Sequence, residues 1–317
     1  MSGKERRWIA VAALALAALV LLPSDAHAWT PATHIFLGEA VLANLKLLPA
    51  AIAELLRAFP YDFLYGNIAA DTSIAKKYAP VGRHCHAWHV GQEIYDEAKS
   101  DALRAFALGY LAHLAADTVA HNFFVPRQLV LTSRSVALGH SYWESRFDMY
   151  LGEHYAKTAV DVLRLDHSAA DEHLDNILSP TLFSVRTSRR IFRGMVGLVE
   201  TQSWQRAVRA LEDVSRWPLN PDLVERHVAV SFDMIMDLLA AGGRARRLDP
   251  AGESSLRLAK RMRLDALRRK IPAQITRLAK LADEHFALPV YPLKFWEASE
   301  AHLPWRNGEA GSVTPSG

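Results

Sequence analysis

Cysteine is nearly absent: Cys85 is the single one in 317 residues. An intramolecular disulfide is therefore excluded, and stability must come from the core and from metal. Strand signals are equally scarce, with no Asn-Gly hairpin between alternating apolar runs and no long Val/Ile/Thr-rich segment. Charge of neither sign dominates, since 37 Lys+Arg face 34 Asp+Glu. That balance argues against a dedicated nucleic-acid binder, while leaving room for local basic patches. Half of the residues are apolar and 22% charged, which excludes collagen-like, low-complexity and wholly disordered chains.

The first 28 residues stand apart. Lys4, Arg6 and Arg7 precede an uninterrupted apolar run over 8–22, and Ala26-His27-Ala28 follows. A basic start, a short apolar stretch and an A-x-A site describe a secretory signal peptide, because a membrane span needs about 20 apolar residues. Removing residues 1–28 takes away three basic and two acidic side chains, leaving 34 against 32. The expectation is a secreted or periplasmic protein whose mature chain begins at Trp29. No later apolar run is long enough to cross a bilayer.

What is abundant is apolar residues at spacings of 3 and 4, so the mature chain reads as all-α, a compact multi-helix single domain over 29–305 with a flexible tail at 306–317. Expected helices cover 31–48, 50–58, 88–99, 101–124, 140–164, 169–178, 184–201, 203–214, 221–241, 252–271 and 273–286. Pro31 suits a first helical position after Thr30, Ser100 can cap the helix that follows it, Pro126 closes that helix, and Gly242-Gly243 ends another. The stretch 67–83 has no steady period, holds Pro80 and Gly82, and reads as a long loop.

The most informative stretch is GYLAHLAADTVAHNFFVP at 109–126. His113, Asp117 and His121 fall at i, i+4 and i+8, each pair separated by about 6 Å of rise and about 40° of rotation on a regular helix. All three share one face. Leu111, Leu114, Val119 and Phe123 make the setting apolar, where two imidazoles and a carboxylate need hydrogen-bond partners or a cation. His140 and Glu144 in GHSYWESRF repeat the spacing, and the connecting length lets both face His121. HCHAWH holds His84, His86 and His89, at most one of which such a site needs. Asp71 in GNIAADT reads as a cap, a ligand or a base. At the mature end, the α-amino and carbonyl groups of Trp29 can chelate a cation, and His34 can fold back as a third donor.

Taken in order, Trp29, His34, Asp71, a histidine of HCHAWH, HLAADTVAH and HSYWE resemble the zinc-dependent phospholipase C family, whose broader superfamily includes the P1-type zinc nucleases. The resemblance implies an all-α fold that holds three Zn2+ ions in a cleft and cleaves phosphate esters. Residue by residue it implies one zinc held by Asp71, His86, His113 and Asp117. A second is held by Trp29, His34 and Asp117, which bridges the two, and a third by His121, His140 and Glu144. His86 is preferred because it stands before Ala87-Trp88. One departure is that His121 follows Asp117 by four residues where the best-known enzymes have six, which keeps the helix regular and displaces the third zinc slightly.

Three cations would stabilise the charge of a phosphodiester and lower the pKa of coordinated water toward neutrality. Asp71 then serves as ligand or as catalytic base. The substrate surface is less determined. Residues 256–281 carry nine Lys/Arg against Asp265 alone, a pattern suited to anionic lipid and equally to a packed helix with a solvated basic face. Phe123, Phe124, Tyr142 and Trp143 would line a headgroup cleft, stack bases or fill the core. The preferred expectation is a phospholipase C acting at a phospholipid membrane surface, with no obligate protein partner. A single-strand nuclease and a non-catalytic, metal-stabilised helical module are the alternatives.

Overall fold

The computed structural model describes residues 29–132, 139–199, 215, 217, 219–268 and 275–299, and every regular element within them is helical. The all-α expectation holds. The expected leader at 1–28, the helix at 203–214 and the tail at 306–317 lie outside the described residues. Among those described, no helix is long and apolar enough to cross a membrane.

The fold is organised around helix α5 (Asp101–Val119). It starts where Ser100 Oγ accepts a hydrogen bond from the Leu103 N–H at 3.2 Å, and every residue from Ala105 to Val119 is buried. A helix apolar all round has no solvent face to orient it, so neighbours must cover every side. They are α3 (Pro60–Ala69), α4 (Trp88–Asp96) and α11 (Pro221–Leu239). Helix α1 (Pro31–Ala43) follows with Pro31 in its first turn, and α2 (Ala50–Ala58) adds a further outer layer.

The α3 to α5 contact is closer than ordinary side chains allow. A Cβ on Gly66 would stand 2.0 Å from the Phe106 carbonyl oxygen, and one on Gly109 would stand 2.1 Å from that of Phe63. The two backbones touch through paired glycines, which sets the depth at which α3 delivers the residues after it. Helix α3 itself departs from the sequence reading, which assigned nothing to 60–66 and a loop to 67–83. Phe63 to Ala69 are all buried, so the segment has no polar face and hence no period to detect. Beyond α3 the expected loop does contain 3-10 turns at Ala70–Thr72 and Lys76–Tyr78.

Two other boundaries are corrected. The helix expected over 101–124 changes after Val119 into a π-helical turn, Ala120–Phe124, and continues as α6 (Val125–Leu131). Pro126 therefore does not close it: the missing N–H falls in the first turn of α6, where no intrahelical bond is required. The helix expected over 140–164 is two, α7 (His140–Leu151) and α8 (Glu153–Arg164), divided at Gly152 with φ of 86°. Helices α9 (Ser168–Ile177) and α10 (Val185–Val199) follow. After α11, which ends before Gly242-Gly243, come α12 (Glu253–Arg268), α13 (Ile275–Phe286) and the short α14 (Lys294–Glu297). Both α12 and α13 pack on α6 and on the π-turn.

Candidate metal centre

His113 and Asp117 sit on α5, Asp71 on the 3-10 turn that ends α3, His86 in the turn before α4, and His34 on α1. All five are buried. Their polar atoms converge. Asp117 Oδ2 lies 2.9 Å from His86 Nε2 and 3.1 Å from His113 Nε2, while Oδ1 lies 3.3 Å from His34 Nε2. The two Nε2 atoms of His86 and His113 are 3.1 Å apart, and Asp71 Oδ1 is 3.4 Å from His86 Nε2. Tetrahedral zinc with donors at about 2.0–2.2 Å places those donors about 3.3 Å from one another. The spacing fits.

Hydrogen bonding explains why these nitrogens are suited to a cation. His113 Nδ1 lies 2.7 Å from the Asn67 carbonyl, so Nδ1 carries the proton and Nε2 the lone pair. His121 is fixed in the same way by the Pro250 carbonyl. His113 thus turns Nε2 toward a carboxylate 3.1 Å away, an arrangement completed by a proton or a metal cation between them. Neither Asp117 oxygen and neither His34 nitrogen has a hydrogen-bond partner of good geometry, although all are buried.

The electrostatics agree. Burial opposes the charge on Asp117, yet the imidazoles of His113, His34 and His86 outweigh it and hold the carboxyl well below its usual range. Burial lowers the pKa of His34 to about 4, with His113 adding to the effect. Glu144 moves oppositely: burial, then the carboxylates of Asp71, Asp117 and Asp148, push it well above the ordinary value.

The second group is His121 on the π-turn with His140 and Glu144 on α7. His140 Nε2 is 2.8 Å from Glu144 Oε1, the His121 and His140 rings are 5.4 Å apart, and His121 Nδ1 is 4.0 Å from Asp117 Oδ2. The regular helix expected through His121 is not what positions it. The π-turn widens the backbone there, a feature often found at functional sites, and Gly252 packs against it. That glycine has φ of 58°, and a Cβ on it would stand 2.4 Å from His121 Cβ.

Trp29 is buried beside both groups. Its Nε1 donates to the Ala116 carbonyl at 3.2 Å, and its ring packs on Phe147 and Phe124 with centroids 4.2 Å and 5.1 Å away. Burying such a ring contributes on the order of 5 kcal/mol as an upper estimate. Thr30 and Thr33 donate to the Asp148 carboxyl, the latter at 2.7 Å, and burial raises that carboxyl to about 6. Residues 29–33 are thereby pinned against α5 and α7.

The other histidines of HCHAWH point elsewhere. His84 Nδ1 accepts from the His86 N–H at 3.1 Å, and His89 engages the Gly82 carbonyl. Cys85 Sγ lies 3.2 Å from His86 Nδ1, so His84, Cys85 and His86 form a further trio of adjacent donor atoms. Of the aromatics, Phe124, Tyr142 and Trp143 belong to the core and Phe123 packs against it.

Several participants escaped the sequence reading. Asn67 and Pro250 act through backbone carbonyls, which no motif reports. Asp148 had a signal, being at i+4 from Glu144. Lys76 had none: it lies in an aperiodic stretch, yet it is buried with Nζ 2.7 Å from Asp71 Oδ1.

Residues 33–183 match the family model described as zinc dependent phospholipase C. That span contains His34, Asp71, His86, His113, Asp117, His121, His140 and Glu144, and stops before α10 begins. No curated protein and no solved structure matches the chain.

Proposed function

The chain belongs, through residues 33–183, to the zinc dependent phospholipase C family, and from that premise we propose that it is a secreted enzyme that cleaves the phosphodiester of glycerophospholipids with three zinc ions. The observation that carries the reading is the convergence of His34, His86 and His113 Nε2 within 3.3 Å of the Asp117 carboxylate. Asp71, His86, His113 and Asp117 would hold one ion. Trp29, through its amino and carbonyl groups, would hold a second with His34 and Asp117, and His121, His140 and Glu144 a third.

Bound zinc supplies Lewis acidity toward the phosphate and lowers the pKa of coordinated water. The chain supplies the rest. Asn67 and Pro250 hold His113 and His121 in the tautomer that turns Nε2 inward. Asp71 would orient the attacking water or act as its base, and the buried wall of Trp29, Phe124 and Phe147 keeps bulk solvent from this side.

A lipid substrate is favoured by the outer face of α12, where Arg257, Lys260, Arg261 and Arg268 are exposed around Leu264, itself 51% exposed. Basic residues near an anionic surface contribute about 1 kcal/mol each. The same helix begins just after Pro250 and Gly252, the residues that fix His121, so a lipid-facing helix abuts the site.

The test uses protein beginning at Trp29, with zinc counted by elemental analysis. Phosphocholine release from phosphatidylcholine vesicles is compared with nucleotide release from single-stranded DNA. Zinc-dependent phosphocholine release is expected. Nucleotide release alone would move the assignment to a nuclease, and zinc that raises the melting temperature without hydrolysis of either ester would leave a metal-stabilised module.

A further inference from the structure

Among the described residues, Lys76 is the one ammonium within hydrogen-bond reach of the donor atoms described above. Its side chain is 3% exposed, and Nζ lies 2.7 Å from Asp71 Oδ1 and 3.3 Å from His86 Nε2. Burying an ammonium is costly unless it is paired, and here its partners are two atoms of the ligand set proposed above.

The backbone is shaped to bring it there. Ala75, immediately before, has φ of 58° and ψ of 44°, a left-handed conformation that costs a residue with a Cβ about 1 kcal/mol or more. From that bend the chain enters the 3-10 turn Lys76–Tyr78. On the other side, Thr181 Oγ1 donates to the Ile74 carbonyl, tying the bend to the segment between α9 and α10. A tethered, strained residue directs the lysine inward.

Resting on the zinc reading above, we infer that Lys76 is a built-in cation that competes with zinc for Asp71 and His86. An ammonium has only donors, and the His86 Nε2 lone pair serves either an N–H or a metal. A dication coordinated by Asp71 and His86 and an ammonium 3 Å from those same atoms repel one another in a poorly screened interior. Filling this position therefore requires that the Lys76 ion pair open, and the zinc held by Asp71, His86, His113 and Asp117 is the weakest of the set. The lysine acts toward metal occupancy, as a positioning residue, and is assigned no step in ester cleavage.

Full mature chains beginning at Trp29 provide the test, as wild type, Lys76→Met and Lys76→Arg. Each is equilibrated against buffered free zinc, and retained zinc is counted. Lys76→Met should retain one more equivalent than wild type at limiting zinc, with at least about a 10-fold tighter last step, the lower end of what neighbouring groups do to metal affinity. Lys76→Arg should follow wild type. Equal stoichiometry and affinity in wild type and Lys76→Met would overturn the competition while leaving the zinc site intact. Zinc absent from all three would overturn the site and the competition together. Should Lys76→Met lose its helical signal, the wild type decides: amine labelling of Lys76, mapped by mass spectrometry, should rise when zinc saturates, and unchanged labelling would count against the inference.

Discussion

The two halves of the candidate centre are built from the same residue types at the same spacing, yet by different means. His113 and Asp117 stand on a regular helix whose depth against α3 is set by Gly66 and Gly109. His121 stands on a π-turn and is held from 129 residues away by the Pro250 carbonyl, with Gly252 against its Cβ. The first half is placed by helix periodicity plus one close backbone contact. The second is placed by irregular backbone and tertiary buttressing. An i, i+4 pattern therefore fixes a face where the helix continues, and fixes little where it does not.

That contrast can be broken in order of effect. Asp117→Asn should have the largest consequence, because the carboxylate faces three imidazoles: turnover should fall by more than about 100-fold and bound zinc should drop, with circular dichroism unchanged. Zinc content equal to wild type would remove Asp117 from the ligand set. Gly109→Val should destabilise the whole molecule by about 3 kcal/mol or more in denaturant titration, since its Cβ would meet the Phe63 carbonyl at 2.1 Å. A loss below about 1 kcal/mol would mean that α3 can retreat without cost.

Gly252→Ala sharpens the comparison by touching the second half alone. Its φ of 58° and the crowding against His121 should cost about 1–3 kcal/mol and reduce the zinc held by His121, His140 and Glu144, with Asp117-bound zinc retained. Equal loss from both halves would show that they are one mechanical unit.

The smallest expected effect is on pH. In chelator-treated protein, burial holds His34, His121 and His227 at about 4, below their ordinary value of 6.5. The unfolded chain then binds more protons across that window, so stability falls as the pH drops from about 6.5 to about 4. Asp148, raised to about 6 by burial, acts in the opposite sense between about 3.8 and 6. His84, held at about 3 by burial, adds to these histidines, whereas the raised Glu144 and His86 oppose them as Asp148 does. The test is therefore one site outside the ligand set: His227→Gln should shallow the loss of melting temperature between about pH 6.5 and about pH 4 relative to wild type, and an unchanged slope would contradict the assignment.

Much of the first half was legible in the sequence, because buried polar residues at i, i+4 and i+8 in an apolar helix are themselves a signal, and Ser100 and Pro31 announced their helix starts. The missing parts share a physical cause. From Phe63 onward helix α3 is buried on every side, so it carries no polar stripe. Pro126 reads as a stop, and only the π-turn before it lets the helical path go on. Asn67 and Pro250 contribute carbonyls, which every residue possesses. Lys76 enters through a left-handed alanine, a conformation that alanine's identity does not suggest.

By itself, the sequence determined the helical class and the residue types able to grip a cation, since both follow from local periodicity and side-chain chemistry. Tertiary structure alone decided which of those side chains meet and which ring nitrogen His113 and His121 turn inward, through contacts between segments tens of residues apart that leave no period in the chain. The ammonium among them enters by a local left-handed bend, which leaves no period either.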